Sequence, residues 1–130
     1  MADLQTRLSD LITAIGGDIK RLNRASTDTS TSTPTPIGSG VDGYYSLTAL
    51  AVNATFAAPS GTPVDGNKLL IMIKDNGTAR TLGWNAIYRA VDTVNVPLPT
   101  TTVLGKWLEL TFLYNATDSK WDLLATIQQA

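Results

Sequence analysis

The chain has 130 residues with ten basic and eleven acidic side chains, so its formal net charge is −1 at pH 7. That length allows one domain with an appendage rather than two full domains. Histidine and cysteine are absent, which excludes imidazole bases, thiol nucleophiles, disulfides and the usual zinc sites. The charges are interspersed, without a basic patch for a phosphate backbone. The sequence therefore predicts neither nucleic-acid binding nor a cofactor.

The amino-terminal sequence bears on where the chain is made. Its first residues, MADLQTRLSDL, lack the apolar core of a signal peptide. No stretch of the sequence approaches the ~20 consecutive apolar residues of a membrane span. We therefore expect synthesis in the cytoplasm and no membrane insertion.

Residues 1–24 predict an amphipathic helix for oligomerisation and anchoring. Apolar side chains recur at intervals of four and three residues, at Leu8, Ile12, Ile15, Ile19 and Leu22. Ile12 and Ile19 then occupy heptad a positions and Ile15 a d position, and isoleucine at both favours three or more strands over two. We expect a homotrimer with these five residues at its interface.

Two interpretations of this helix remain open. Leu4 and Leu11 lie beside the seam and widen the apolar face, which could bind partner helices or pack on the chain's own β domain. Gly16 and Gly17 weaken the helix by roughly 1 kcal/mol each relative to alanine. Because three heptads are also marginal for a free coiled coil, the head or a docking partner must help to hold the helix.

Residues 25–43 form a Ser/Thr/Pro-rich linker in this interpretation. Threonine alternates with other residues from Thr27 to Thr35, and apolar side chains are almost absent. The segment could be a flexible tether or an extended strand laid against a neighbouring subunit. Pro34 and Pro36 favour an extended backbone in either case.

Residues 44–130 predict an antiparallel β-sandwich or jelly-roll-like head. Asn76-Gly77 between Lys68–Lys74 and Thr78–Trp84 is a strong hairpin signal. A second predicted hairpin pairs Lys106–Tyr114 with Lys120–Gln128, and both strands alternate apolar and polar residues. Tyr44–Phe56 supplies one or two earlier strands. The alternation at Val94, Val96 and Leu98 predicts an edge strand, because Pro97 and Pro99 cannot donate to a sheet ladder.

One predicted strand is apolar on both faces. Leu70 and Met72 point away from Leu69, Ile71 and Ile73 in an extended backbone. Such a strand lies in the middle of a layer or is covered on its second face. In a domain this short, the second cover could be another subunit.

Two segments of the head resemble a recurring module of tailed-bacteriophage structural proteins. They read GNKLLIMIKDNGTARTLGWN (Gly66–Asn85) and LPTTTVLGKWLELTFLYNATDSKWDLLA (Leu98–Ala125). Their distinctive pieces are KDNGTAR, LPTTT followed by GK, and YNATDSKWD. In that family the module often ends tail fibres, minor tail proteins and related virion appendages. The resemblance implies a virion location and contacts with capsid or tail proteins. Because this chain lacks a shaft, a head fibre, capsid decoration protein or short tail component is favoured over a long fibre.

The sequence offers little catalytic chemistry. Glu109 is the only glutamate and alternates onto the outward face of its strand, whereas Asp75, Asp118 and Asp122 flank turns, where aspartate usually caps backbone groups. A glycosidase-like carboxylate pair, and a calcium loop dense in Asp and Asn, are both missing. We therefore expect neither an enzyme nor a metal site.

Aromatic residues could still bind sugar. Trp107 falls on the outward phase of its strand and is the best candidate for a ligand contact, although a subunit contact is the more common role of such a residue. The leading hypothesis is a non-enzymatic phage structural protein. The alternative is a module that binds carbohydrate or protein on the host surface. A polysaccharide depolymerase is the third class, and it lacks a candidate carboxylate pair.

Overall fold

The computed structural model describes the backbone of residues 2–130 and the side chains of residues 3–16 and 25–130. Within this range the chain is mainly β, with one amino-terminal helix, α1 (Ala2–Leu22). The strands are β1 (Asn23–Asp28), β2 (Asp42–Leu50), β3 (Ala54–Phe56), β4 (Lys68–Asp75), β5 (Leu82–Trp84), β6 (Tyr88–Ala90), β7 (Leu108–Asn115) and β8 (Lys120–Gln128).

The large sheet has six strands in the order β1-β2-β4-β7-β8-β6. β1, β2 and β4 are parallel, β7 is antiparallel to β4 and β8, and β6 is parallel to β8. The sheet is therefore mixed, whereas the sequence predicts antiparallel pairing throughout. The physical reason lies in the connections: β2 and β4 are joined by residues 51–67, long enough for the crossover that a parallel pair requires.

A small parallel sheet of β3 and β5 covers one face of the large sheet. Phe56 of β3 stacks on Trp84 of β5 with ring centroids 4.5 Å apart, and these rings contact Tyr45 and Phe112 of the large sheet. The core lies between the two layers. Its fully buried large side chains include Tyr45, Leu47, Leu50, Phe56, Leu69, Ile71, Ile73, Leu110, Phe112 and Trp121.

The segment predicted as a linker pairs with its own chain over much of its length. Its first residues belong to β1, which is hydrogen-bonded to β2 in parallel register. Residues 29–38, here called the covering segment, then run beside residues 49–60. The segment's backbone bonds are Ala49 N–H to Thr29 O, Thr55 N–H to Ser32 O, Ala57 N–H to Pro34 O, Ser60 N–H to Pro36 O and Gly38 N–H to Ser60 O. These backbone hydrogen bonds thus hold the segment on the head, although it has few apolar side chains.

The Asn-Gly turn forms, but the predicted hairpin does not. Gly77 adopts φ 93° and its N–H bonds the Asp75 carboxylate, which closes the turn. Both edges of β4 are already occupied by β2 and β7, so the chain leaves the large sheet after the turn. β5 pairs with β3 instead.

The second predicted hairpin is confirmed as β7 and β8, which pair in antiparallel register from Leu108–Gln128 to Asn115–Lys120. Its turn contains Ser119 at φ 53°, and the Asn115 side chain accepts a bond from the Asp118 N–H. Residues 94–98 form a loop rather than the predicted edge strand. The Asp92 carboxylate accepts N–H bonds from Val94 and Asn95 and so holds that loop in a turn.

Candidate functional site

The described part of α1 carries an apolar stripe that is open to solvent. Its large side chains are 48–64% exposed, and they are Leu4, Leu8, Leu11, Ile12 and Ile15. At 100° per residue these five positions fall within a sector of about 100°. Beside the stripe, Asp3 and Arg7 form an exposed ion pair of 3.5 Å. The helix is amphipathic, yet within the single chain its apolar side is uncovered.

The positions of the predicted interface residues bear on the two interpretations of the helix. Leu8, Ile12 and Ile15 are exposed, so this part of α1 does not pack on the chain's own β domain. Ile19 and Leu22, the last two predicted residues, lie outside the described side chains.

The large sheet has a second, outer face that neither β3–β5 nor the covering segment covers. Leu70 and Met72 of β4 lie there and are half-buried, on the side opposite the core residues of the same strand. Tyr44 of β2 lies beside them, and its hydroxyl approaches the Met72 sulfur at 3.4 Å. Thr27 and Ser46 hydrogen-bond at 2.9 Å on the same face. This face is thus partly apolar, as the sequence predicts for Leu70 and Met72.

A cavity of about 340 Å³ lies on the outer face at one end of the strands, here called the sheet cavity. Its lining is Asp42, Gly43, Tyr44, Lys68, Leu70 and Thr111. Asp42 and Lys68 are in register with Asn23, the first residue after α1. The sheet cavity therefore lies at the end of the sheet where the helix joins it. The sequence does not reveal this grouping, because it depends on the register of β2, β4 and β7, which are separated along the chain.

Trp107, the predicted ligand contact, is half-buried at the outer face. The Lys74 ammonium lies 5.7 Å from the centroid of its ring and so occupies one ring face. All nine aromatic residues have described side chains, and each is buried or half-buried. The aromatic rings mainly contact one another in the core, for example Tyr88 with Phe112 at 5.2 Å.

The aspartates predicted to flank turns do organise loops. Asp75 is 2% exposed and accepts bonds from the Thr102 hydroxyl at 2.6 Å and from the N–H groups of Gly105 and Gly77 at 2.8 and 3.0 Å. Burial alone would raise the pKa of Asp75, but these bonds and the nearby Arg80 charge hold that pKa below its ordinary value. The carboxylate is thus kept ionised by its donors.

A second carboxylate is held by an arginine at the edge of the sheet. Arg89 of β6 donates to both oxygens of Asp122, at 2.7 and 3.0 Å, and to Asp118 at 2.9 Å. These bonds hold the pKa of Asp122 below its ordinary value against a smaller opposing effect of burial. The pair joins β6 to β8. Among the described side chains, no three acidic residues are grouped so that they could hold a metal ion.

Two larger cavities lie between loops, and charged side chains are absent from both linings. One, of about 510 Å³, lies between the loops around Ser39 and Thr62, and the other, of about 670 Å³, lies between the loop 95–104 and β8. General acid–base chemistry needs a positioned titratable group. These cavities offer hydroxyl, amide and apolar contacts instead.

No protein-family model matches this sequence, and no curated protein is significantly similar to it. In residues 2–130 the structure also contains no helix with the length and apolar content needed to cross a bilayer. The site is therefore interpreted from its own geometry. The feature that stands out is the uncovered apolar stripe of α1, with the partly apolar outer face beside the helix junction.

Proposed function

We propose that this chain is a non-enzymatic structural protein of a bacteriophage particle. In this proposal it forms a small homotrimeric appendage on the capsid or tail. The amino-terminal helices bundle and anchor it, and the β heads project into solvent. The observation that carries the proposal is the exposed stripe of α1, which a single chain leaves in water.

The width and composition of the stripe support a bundle of three helices. Leu8 and Ile15 at d positions with Ile12 at an a position give the seam, and Leu4 and Leu11 extend it on one side. A two-stranded coiled coil buries mainly the a and d positions, whereas a wider face with isoleucine at both positions suits a trimer or larger bundle. Burial of this stripe removes apolar surface at about 25 cal/mol per Å², which supplies the driving force for assembly.

The resemblance of the two head segments to phage virion modules supports the biological setting. A helix of 21 residues is about 30 Å long, which suits a plug in a symmetric socket better than a shaft that reaches a distant receptor. The partners would be capsid or tail proteins around that socket. They would add stability to a bundle that Gly16 and Gly17 weaken.

The acidic residues support a structural rather than an enzymatic role. Asp75, Asp92 and Asp122 each accept several hydrogen bonds from groups that they position, and the pKa of each lies below its ordinary value. These carboxylates are thus engaged in holding two loops and the edge strand β6 in place. Lys74 lies over one ring face of Trp107, which reduces the ring area that a sugar could stack on.

Removal of the helix from the assembling particle tests the proposal. A chain that lacks residues 1–22 keeps all of β1 and should remain folded by circular dichroism, but particles should no longer carry it. The matched control is full-length Thr13→Asp, which changes a polar position outside the apolar stripe and should be incorporated normally. If truncated chains are present in particles at normal occupancy, the helix is not the anchor and the proposal fails.

A further inference from the structure

We infer that the outer face of the large sheet, around the sheet cavity, is a second contact surface between copies of this chain. The heads as well as the helices would then associate about the threefold axis. This inference rests on the trimer proposed above and adds the surface through which the heads meet.

The connection between helix and sheet places part of the head near the axis. α1 ends at Leu22 and β1 begins at Asn23, so no linker separates the bundle from the sheet. Helices in a bundle pack 8–10 Å apart, which puts each of three helix axes about 5 Å from the threefold axis. The first residue of β1 is therefore held close to that axis in every copy.

The strand register then brings the sheet cavity to the same place. Asn23 pairs with Asp42, and Asp42 pairs with Lys68, both across parallel strands. With neighbouring strands about 4.8 Å apart, Asp42 and Lys68 lie within roughly 10 Å of the first residue of β1. Tyr44 and Leu70 follow two residues further along the same strands and the same face. This end of the outer face is therefore within reach of a neighbouring head around the axis.

The outer face is the side of the sheet that can accept a neighbour. The opposite face already packs against β3, β5 and the rest of the core. On the outer face, Tyr44, Leu70 and Met72 present apolar area that a single head leaves half-exposed. Asp42 and Lys68 place opposite charges side by side at the rim, so Asp42 of one copy can face Lys68 of the next copy around the threefold axis. The occupant is therefore a second copy of the chain.

A cysteine reporter tests this surface, because the natural chain contains no cysteine. Leu70→Cys would place a thiol in the sheet cavity, and Val94→Cys would place a control thiol on a side chain that is 84% exposed and outside the cavity lining. Each reporter is made in the otherwise natural chain and in an Ile15→Asp chain. We expect the Leu70→Cys thiol to react with a small maleimide at least 10-fold more slowly in the natural background. The Val94→Cys thiol should react at the same rate in the otherwise natural chain and in the Ile15→Asp chain.

The outcomes separate this inference from the proposed function. Equal Leu70→Cys rates in both backgrounds, with the natural chain trimeric by light scattering, overturn the head contact and leave the helical trimer intact. A monomeric natural chain overturns both. If Leu70→Cys fails to fold, hydroxyl-radical labelling of Met72 and Tyr44 in the unsubstituted chain gives the same comparison. Protection of both residues relative to the Ile15→Asp chain supports the contact, and equal labelling overturns it.

Discussion

Asp75, at the end of β4, connects the Asn-Gly turn to the loop before β7 through one buried carboxylate. Its Oδ1 accepts from Gly77 and Gly105, and its Oδ2 accepts from Thr102, whose hydroxyl oxygen in turn accepts the Arg80 N–H at 2.8 Å. The end of β4, the Asn-Gly turn and the loop before β7 therefore share one acceptor. A buried donor that loses its acceptor costs about 1–3 kcal/mol, so the carboxylate matters through the groups that it satisfies.

Asp75→Ala should lower the free energy of unfolding by about 2–4 kcal/mol, because three donors lose their acceptor at once. Urea unfolding at one fixed protein concentration measures this change. Asp118→Ala is the matched control, since Asp118 is half-exposed and Arg89 keeps its two bonds to Asp122. The control should cost about 1 kcal/mol or less. Equal losses in the two variants would contradict the role given to Asp75.

The same carboxylates predict sensitivity to acid. Asp75 and Asp122 have pKa values below their ordinary value in the folded chain, so they bind protons less readily there than when unfolded. Their contribution to the free energy of unfolding is complete above the pKa of about 3.9 that an unfolded aspartate has. It is lost as the pH falls through their lower pKa values in the folded chain. Thermal melts should therefore show a steady melting temperature from pH 7 to 5 and a fall below about pH 4. Asp75→Asn should have a lower melting temperature at pH 7, and that temperature should fall less between pH 5 and 3 than in the unsubstituted chain. The same dependence of melting temperature on pH in both chains would contradict the role of Asp75 in acid sensitivity.

At the scale of elements, the covering segment shows how a region with few apolar residues becomes part of a fold. Pro34 and Pro36 are fully buried, and the segment's backbone bonds to residues 49–60. At Gly38 the covering segment lies so close to the rest of the head that an added Cβ would be 2.8 Å from the Pro59 Cβ and 3.2 Å from the Trp121 ring. Glycine is needed here for space and not for an unusual backbone angle.

Gly38→Ala should therefore lower the free energy of unfolding by about 1–3 kcal/mol, as overpacking of a close contact does. Urea unfolding again measures the change, and Thr35→Ala on the exposed side of the same segment should have little effect. Limited digestion with a broad-specificity protease gives a second reading, because residues 29–38 should resist cleavage while paired. Wild-type stability in Gly38→Ala together with rapid cleavage in this segment would show that it is not seated on the head.

How far these elements could be predicted depends on how local their pairing is. The β7–β8 hairpin was predictable because its partners are adjacent in the chain, and the stripe of α1 was predictable from its spacing. The parallel pairing of β1, β2 and β4 was not, because side chains alternate between the two faces of a strand in parallel and antiparallel sheets alike, so their spacing does not give the strand direction. The Asn-Gly signal predicted the turn correctly but not the partner of β5, which depends on both edges of β4 being occupied.

At the scale of the whole molecule, the chain consists of a head with its own core and a helix with an uncovered apolar stripe. The head has two packed layers, the buried carboxylate of Asp75, and an ion pair between Arg89 and Asp122 that joins the edge strand β6 to β8. The helix lacks such internal support over residues 3–15, where its large apolar side chains are exposed. This division predicts that assembly depends on the helix, while folding of the head does not.

The central claim is that the stripe of α1 holds three chains together, and the molar mass in solution tests it most directly. Multi-angle light scattering at micromolar concentration should give about 41 kDa, three times the chain mass of 13.8 kDa. Ile15→Asp should shift the mass towards one chain, because a carboxylate in the seam would have to be buried. Thr13→Asp, about 200° around the helix from Ile15, should remain trimeric. A mass of 13.8 kDa for the unsubstituted chain, or an undiminished trimer for Ile15→Asp, would contradict the claim.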